Sequence, residues 1–108
     1  MHNLEEKAFA SRAVLRDWLE RNHDSSPGLL VRIYKKLGDQ PSVTFEDVLE
    51  EGLCFGWSES QRLKGSNLYY LQRFTPRKTK GTTSERNKKL VTKLEKIGLM
   101  TDAGRAKL

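Results

Sequence analysis

The stretch from Gly52 to Lys78 constrains the fold most, because it concentrates the side chains that can build a core. It holds the only cysteine, one of two tryptophans, two of three tyrosines and two of four phenylalanines, and it ends in basic residues. Aromatic rings interleaved with Arg and Lys can pack a core, stack on bases or hold anions. Both the core and any binding site are therefore expected around this stretch.

The length of 108 residues suits a single domain, predicted to span residues 1–108, with one modest core. Apolar residues make up 36% of the chain and charged residues 31%, which is typical of a globular domain with solvated helices. No apolar run approaches the roughly 18 residues of a membrane span, and the N-terminus has no secretory signal. One cysteine also cannot form an internal disulfide. Together, these features predict a cytoplasmic protein without membrane association.

Hydrophobic periodicity predicts an α+β domain ordered α-β-α-β-β-α, with a small three-stranded sheet packed by helices. Ser11, Thr44 and Ser84 are the predicted N-caps of the three helices, and Gly56 is the predicted end of the second. The strands are predicted at 29–34, 61–64 and 68–75, the last two forming a hairpin. Residues 1–8 are expected to be a flexible arm, and residues 101–108 the start of a truncated or frayed helix.

The predicted core residues share apolar character and a position on the inner side of these elements. They are Val14, Leu15, Trp18, Leu19, Val31, Ile33, Val48, Leu49, Leu53, Phe55, Trp57, Leu71, Leu90, Leu94 and Ile97.

The second predicted helix carries four carboxylates, at positions 46, 47, 50 and 51. Since no His or Cys is spaced among them, they are interpreted as a solvated acidic face rather than a metal or acid–base site. Cys54 lies between large apolar residues and is interpreted as a buried small hydrophobe. His23 lies in a polar turn and is interpreted as a surface or capping residue.

The charge is unevenly distributed along the chain. Residues 1–58 carry 7 Lys and Arg against 10 Asp and Glu, whereas residues 59–108 carry 13 against 4. Basic side chains follow the aromatic strand and lead into a helix N-terminus, where free backbone N–H groups favour anions. The predicted anion-binding residues are Arg73, Arg77, Lys78, Lys80, Ser84 and Arg86, and the predicted base-stacking residues are Tyr69 and Tyr70.

Two alternatives stand beside that anion site. The tyrosines can be buried in the core, and Arg73 can pair with the acidic helix instead of a ligand. The whole basic half can equally be a solvated surface. If the basic residues do bind an anion, the partner is a phosphate-bearing ligand, a nucleic acid or an acidic protein. Alternatively, the domain is a protein-interaction module that binds no nucleic acid.

The sequence contains no known catalytic signature, such as a phosphate-binding Gly-rich loop, a His-Glu-x-x-His motif or paired cysteines. His2 and His23 are the only imidazoles, and neither lies in an apolar context that would tune it as a base. No catalytic residue, metal ligand or cofactor is predicted, and enzymatic activity is left open.

Four segments of the sequence look familiar as a set: LCFGW at 53–57, YLQRFTPRK at 70–78, the Ser-capped basic helix and GLMTDAG at 98–104. In this order they resemble the YdeI/OmpD-associated family, also called bacteriocin-protection proteins. The resemblance covers roughly residues 9–106 and implies a small cytoplasmic α+β domain, which is either a naturally short member of the family or the N-terminal module of a longer one. It implies no reaction, and Ser58-Glu59-Ser60 departs from the family's usual residues after the tryptophan.

Overall fold

The structure is a computed structural model that describes residues 4–36, 40–81 and 83–108. Its elements are β1 (Glu5–Ala8), α1 (Arg12–Asn22), β2 (Leu29–Tyr34), α2 (Phe45–Phe55), β3 (Trp57–Leu63), β4 (Tyr69–Pro76), α3 (Glu85–Lys96) and α4 (Asp102–Arg105). They form a small compact α+β domain with a four-stranded mixed sheet and four helices. Residues 1–3 of the predicted arm, including His2, lie outside the described residues.

The four strands follow the spatial order β1-β2-β4-β3. β1 runs parallel to β2, whereas β4 is antiparallel to both β2 and β3. The prediction of three strands was wrong, because β1 lies where a flexible arm was expected. Its sequence, EEKA, has none of the β-branched or aromatic residues that mark a strand, so β1 is defined only by its backbone pairing with β2.

The hairpin of β3 and β4 was predicted, but β3 is longer than expected. It starts at Trp57, directly after the turn that ends α2, and includes the polar residues 58–60. The register shifts between Glu59 and Gln61, as in a β-bulge. A bulge breaks the alternation of side chains that identifies a strand from sequence, which explains why only residues 61–64 were predicted.

The helix caps confirm the predicted helix starts. Ser11 Oγ accepts from Val14 N and Ser84 Oγ accepts from Asn87 N. Thr44 and Asp47 form a reciprocal capping box at α2, with N···O distances of 3.0 and 3.1 Å. Gly56 ends α2 in the left-handed conformation at φ 75°.

The short helix α4 packs against the end of α2. Thr101 caps it, accepting from Gly104 N at 3.3 Å, and Thr101 N donates to Cys54 O at 3.2 Å. Within the segment 101–108, which was predicted to start a truncated or frayed helix, α4 is thus a single turn anchored to α2.

Most of the predicted core is buried in one cluster. Val14 and Ile97 are instead exposed, with 48% and 57% of their surface accessible, and Leu71 is buried but lies outside this cluster. Val14 lies at the margin of the apolar face of α1, and Ile97 follows the last turn of α3. Helical spacing alone therefore overestimated the burial of both side chains. Trp18 and Leu90 are only partly buried against the cluster. The core also includes residues absent from the predicted core list, namely Phe9, Leu29, Val43, Cys54, Phe74, Val91 and Met100. Of these, Cys54 was separately interpreted as buried.

The interpretation of α2 as having a solvated acidic face was wrong for Glu50 and Glu51, which are 9% and 0% exposed. Arg12 donates to Glu51 at 2.6 Å and to Glu50 at 2.7 Å, and Arg16 donates to Glu51 at 3.0 Å. The prediction treated α2 as an amphipathic helix with one buried face, but α2 is surrounded by α1, α3, α4 and the hairpin. Its polar side is therefore buried against the arginines of α1.

The sheet has two different faces. On one face, Leu29, Val31 and Ile33 of β2 and Phe74 of β4 are buried in the core beneath the helices. Because paired residues share a face, the register places the alternate residues of these strands together on the opposite side. We call this side the open face; its residues are partly exposed apart from Leu71, and on β2 and β4 they are Leu30, Arg32, Tyr34, Tyr69, Leu71, Arg73 and Thr75.

Candidate functional site: a basic cleft at the end of the sheet

A cleft of about 360 Å³ lies at the end of the sheet where β4 finishes and β2 begins. Its lining residues come from three separate parts of the chain: Leu4, Pro27, Arg73, Thr75, Pro76, Arg77 and Lys78. The register explains this convergence, because Leu29 at the start of β2 pairs with Phe74 near the end of β4. We refer to this site as the basic cleft.

A glycine allows the two strands to meet so closely at the basic cleft. Gly28 has φ 133°, and a Cβ there would lie 2.6 Å from Thr75 Cγ2 and 3.0 Å from Phe74 O. The first distance is shorter than Cβ contacts in proteins, the second is tight, and the positive φ is one that L side chains rarely adopt, so this approach favours glycine. The position of Pro27 beside β4 follows from it.

Three of the six predicted anion-binding residues line the basic cleft, namely Arg73, Arg77 and Lys78. Arg73 and Arg77 are partly exposed and Lys78 is exposed. The backbone N–H of Arg77 donates to Gly56 O at 2.9 Å, which fixes the chain as it leaves β4. The cleft thus combines a concave shape with three cationic side chains at a constrained strand end.

Glu59 on β3 lies beside this cluster. Burial raises the pKa of its carboxyl above the ordinary value of 4.5, while a backbone hydrogen bond and the charge of Arg77 offset part of that rise. The raised pKa shows that desolvation outweighs the attraction to Arg77. Glu59 is therefore an acidic neighbour of Arg77 that an anionic ligand would have to tolerate.

The remaining predicted residues lie away from the basic cleft. Lys80, Ser84 and Arg86 are exposed and do not line it. The hydroxyl of Ser84 is occupied in capping α3. The chain between β4 and α3 instead runs towards the C-terminal residues, where Gly81 N donates to Lys107 O at 3.3 Å. The six predicted residues therefore do not form one site around this cleft.

The two predicted stacking tyrosines lie on opposite faces of the sheet. Tyr70 pairs with Ile33 on the helix side, with the guanidinium of Arg62 4.1 Å from its ring centre. Tyr69 pairs with Tyr34 on the open face, with ring centres 5.1 Å apart. Only Tyr69 therefore shares a face with Arg73.

Sequence reasoning missed Arg32 and Tyr34 as members of this surface. The guanidinium of Arg32 lies 4.6 Å from the ring centre of Tyr69, and its Nε donates to Glu6 at 2.6 Å. Hydrogen bonds to Tyr34 and Glu6 raise the pKa of Arg32, so it stays charged. The signal was present in the alternation along β2, which separates Leu30, Arg32 and Tyr34 from the buried residues.

Arg73 does not pair with the acidic helix, since Glu50 and Glu51 bind the arginines of α1. Cys54 is buried as predicted, and burial, followed by the charge of Glu51, raises the pKa of its thiol. His23 is the C-cap residue of α1, with its Nδ1 2.8 Å from Leu19 O. Neither side chain has an arrangement suited to nucleophilic or metal chemistry.

Within the described ranges, no group of three or more His, Cys, Asp and Glu residues could hold a metal ion. In the same part of the chain, no helix is both long enough and apolar enough to cross a membrane.

A family model described as a domain of unknown function (DUF8412) matches residues 7–107, which is nearly the whole chain. The chain belongs to this family. The resemblance to the YdeI/OmpD-associated family was therefore wrong, because the family that matches is a different one. The quoted segments are short, and helix caps and aromatic strands recur in unrelated small α+β domains. No curated protein and no solved structure matches the chain.

Proposed function

We propose that this domain binds a phosphate-bearing partner in the basic cleft. The observation that carries the proposal is the convergence of Arg73, Arg77 and Lys78 in one concavity of about 360 Å³. Arginine presents a planar fork that matches phosphate oxygens, and lysine adds a compact charge. Thr75 supplies a hydroxyl in the same cleft.

The chemistry of the lining residues favours binding over catalysis. They offer cations, a hydroxyl and two prolines that shape the wall. A phosphate group would be held by charge-assisted hydrogen bonds at such a surface. A cytoplasmic location is proposed with it, since the free thiol of Cys54 is compatible with a reducing compartment.

The alternative is a protein-interaction module, which would need a contiguous apolar patch. Among the residues that the structure describes, the large apolar side chains that are exposed belong to different parts of the fold; they are Val14, Leu68, Ile97 and Leu108. Scattered exposed apolar residues are normal in monomeric proteins. We therefore favour the anionic partner.

An amide NMR titration with inorganic phosphate, a short duplex and a short single strand, at two salt concentrations, tests the proposal. The expected result is a salt-sensitive set of shifts centred on Arg73, Thr75, Arg77 and Lys78. Shifts centred on Ser84 and Arg86 would move the site to the start of α3. The absence of shifts with every ligand would overturn the proposal.

A further inference from the structure

We propose that the open face is a binding platform for single-stranded nucleic acid, with Tyr34 and Tyr69 stacking on bases and the basic cleft holding phosphates. This inference rests on the proposed function, which it extends from an anion to a polymer that carries bases. It is drawn from the placement of aromatic and cationic side chains on one face of the sheet.

The aromatic part of the platform is a contiguous group of three side chains, in which the two tyrosine rings are tilted against each other. The rings of Tyr34 and Tyr69 are 5.1 Å apart at an interplanar angle of 55°, and Arg32 lies 4.6 Å from the ring centre of Tyr69. Both tyrosines keep part of their surface exposed. Unpaired bases stack on aromatic rings and on guanidinium planes, so this unit offers both kinds of stacking surface.

The platform and the basic cleft lie on one continuous line. Tyr69, Leu71, Arg73 and Thr75 alternate along β4 and therefore project from the same face. At about 3.3 Å per residue, Tyr69 and Arg73 are roughly 13 Å apart along the strand. A short single-stranded nucleic acid lying along β4 can thus place its bases at the tyrosines and its phosphates at the basic cleft.

The end of the sheet opposite the cleft is also cationic. Lys35 and Lys36 follow β2, Lys64 follows β3, and all three are exposed. Lys35 N donates to Leu68 O at 2.8 Å, which places it beside the start of β4. Glu6, the acidic residue that the β1–β2 register places on the open face, is paired with Arg32. This distribution is complementary to a polyanion that passes over the tyrosines.

The geometry favours a single strand over a duplex. Proteins read a duplex by inserting a helix or a two-stranded ribbon into a groove, whereas Tyr34 and Tyr69 lie on a sheet surface. The faces of paired bases are stacked inside a duplex and cannot reach such rings. Unpaired bases can be splayed onto a sheet and stacked there.

Fluorescence anisotropy with three labelled probes of equal length tests the inference. They are an oligothymidylate strand, the same backbone without bases, and the oligothymidylate duplexed with its complement. The wild-type protein is expected to bind the strand with bases about tenfold more tightly than the abasic strand, the low end for one stacked base. The duplex is expected to bind no more tightly than the abasic strand.

Tyr69→Ala is expected to reduce that preference, because Tyr34 is then the one tyrosine left to stack on bases, and to leave abasic binding unchanged, whereas Tyr69→Phe, which keeps the ring, should retain it. Leu68→Ala is the matched control, because Leu68 is exposed next to Tyr69. Equal binding of the two single strands by the wild-type protein would overturn the platform while leaving the phosphate site intact. Tighter binding of the duplex than of the oligothymidylate strand would also overturn the platform. Failure to bind any probe, with no phosphate-induced shifts at the cleft, would overturn both proposals.

Discussion

Glu59 shows how one side chain connects stability with the basic cleft. Its carboxyl is half-buried on β3, and burial raises its pKa above 4.5 although Arg77 is nearby. A carboxyl with a raised pKa in the folded state binds its proton more tightly there than in the unfolded chain. The free energy of unfolding therefore falls as pH rises through the range just above 4.5.

Replacing Glu59 with Gln should make the protein more stable than wild type at neutral pH, because the ionised carboxylate is no longer desolvated. The difference should shrink towards zero below about pH 4, where Glu59 is protonated in both states. Urea denaturation at both pH values measures it, with the exposed Glu46→Gln as control. A less stable Glu59→Gln variant at neutral pH would show that attraction to Arg77 outweighs desolvation.

At the scale of elements, the attachment of α1 to α2 depends on buried charge. Glu51 has no exposed surface and accepts from Arg12 and Arg16, while Glu50 accepts from Arg12. A buried ion pair gains little over an apolar contact, but removing one partner leaves the other without its counter-charge. The two helices are therefore sensitive to a single substitution at this contact.

Glu51→Gln is expected to lower the free energy of unfolding by about 3 kcal/mol, because two arginines lose the carboxylate they share. Glu46→Gln, on an exposed position of the same helix, is expected to change it by less than about 0.5 kcal/mol. Urea denaturation of both variants at neutral pH provides the comparison. Equal stabilities would contradict the role assigned to Glu51.

Elements with strong local signals could be predicted from the sequence. The capping residues Ser11, Thr44 and Ser84 and the stop at Gly56 act within a few residues of each helix end. Their patterns are therefore visible in a short window of sequence.

Features that depend on tertiary contacts could not be predicted in the same way. β1 is a strand only because its backbone pairs with β2, and Glu51 is buried only because α1 covers it. For the candidate site, the six predicted anion-binding residues included Arg73, Arg77 and Lys78, which line the cleft, and three others that do not. The contributions of Leu4 and Pro27, and the separation of Tyr69 from Tyr70, required the register of β2 and β4.

At the scale of the whole molecule, positive charge lies in two different settings. The exposed lysines of α3, including Lys89 and Lys93, are spread over a solvated helix. Arg73, Arg77 and Lys78 instead converge in a cleft. A net charge of +6 attracts any polyanion, so weak binding by itself would not distinguish the two settings. Under the proposed function, the two settings differ in the number of phosphates that each would contact directly.

The salt dependence of oligothymidylate binding tests the basic cleft most directly. Each phosphate contact on a single strand contributes about 0.7 to the slope of log affinity against log salt concentration. The double variant Arg77→Gln with Lys78→Gln should therefore make this slope less steep by about 1.4. Lys89→Gln with Lys93→Gln removes the same charge from α3 and should leave the slope close to that of the wild type. Equal slopes for the two double variants would contradict a phosphate site in the cleft.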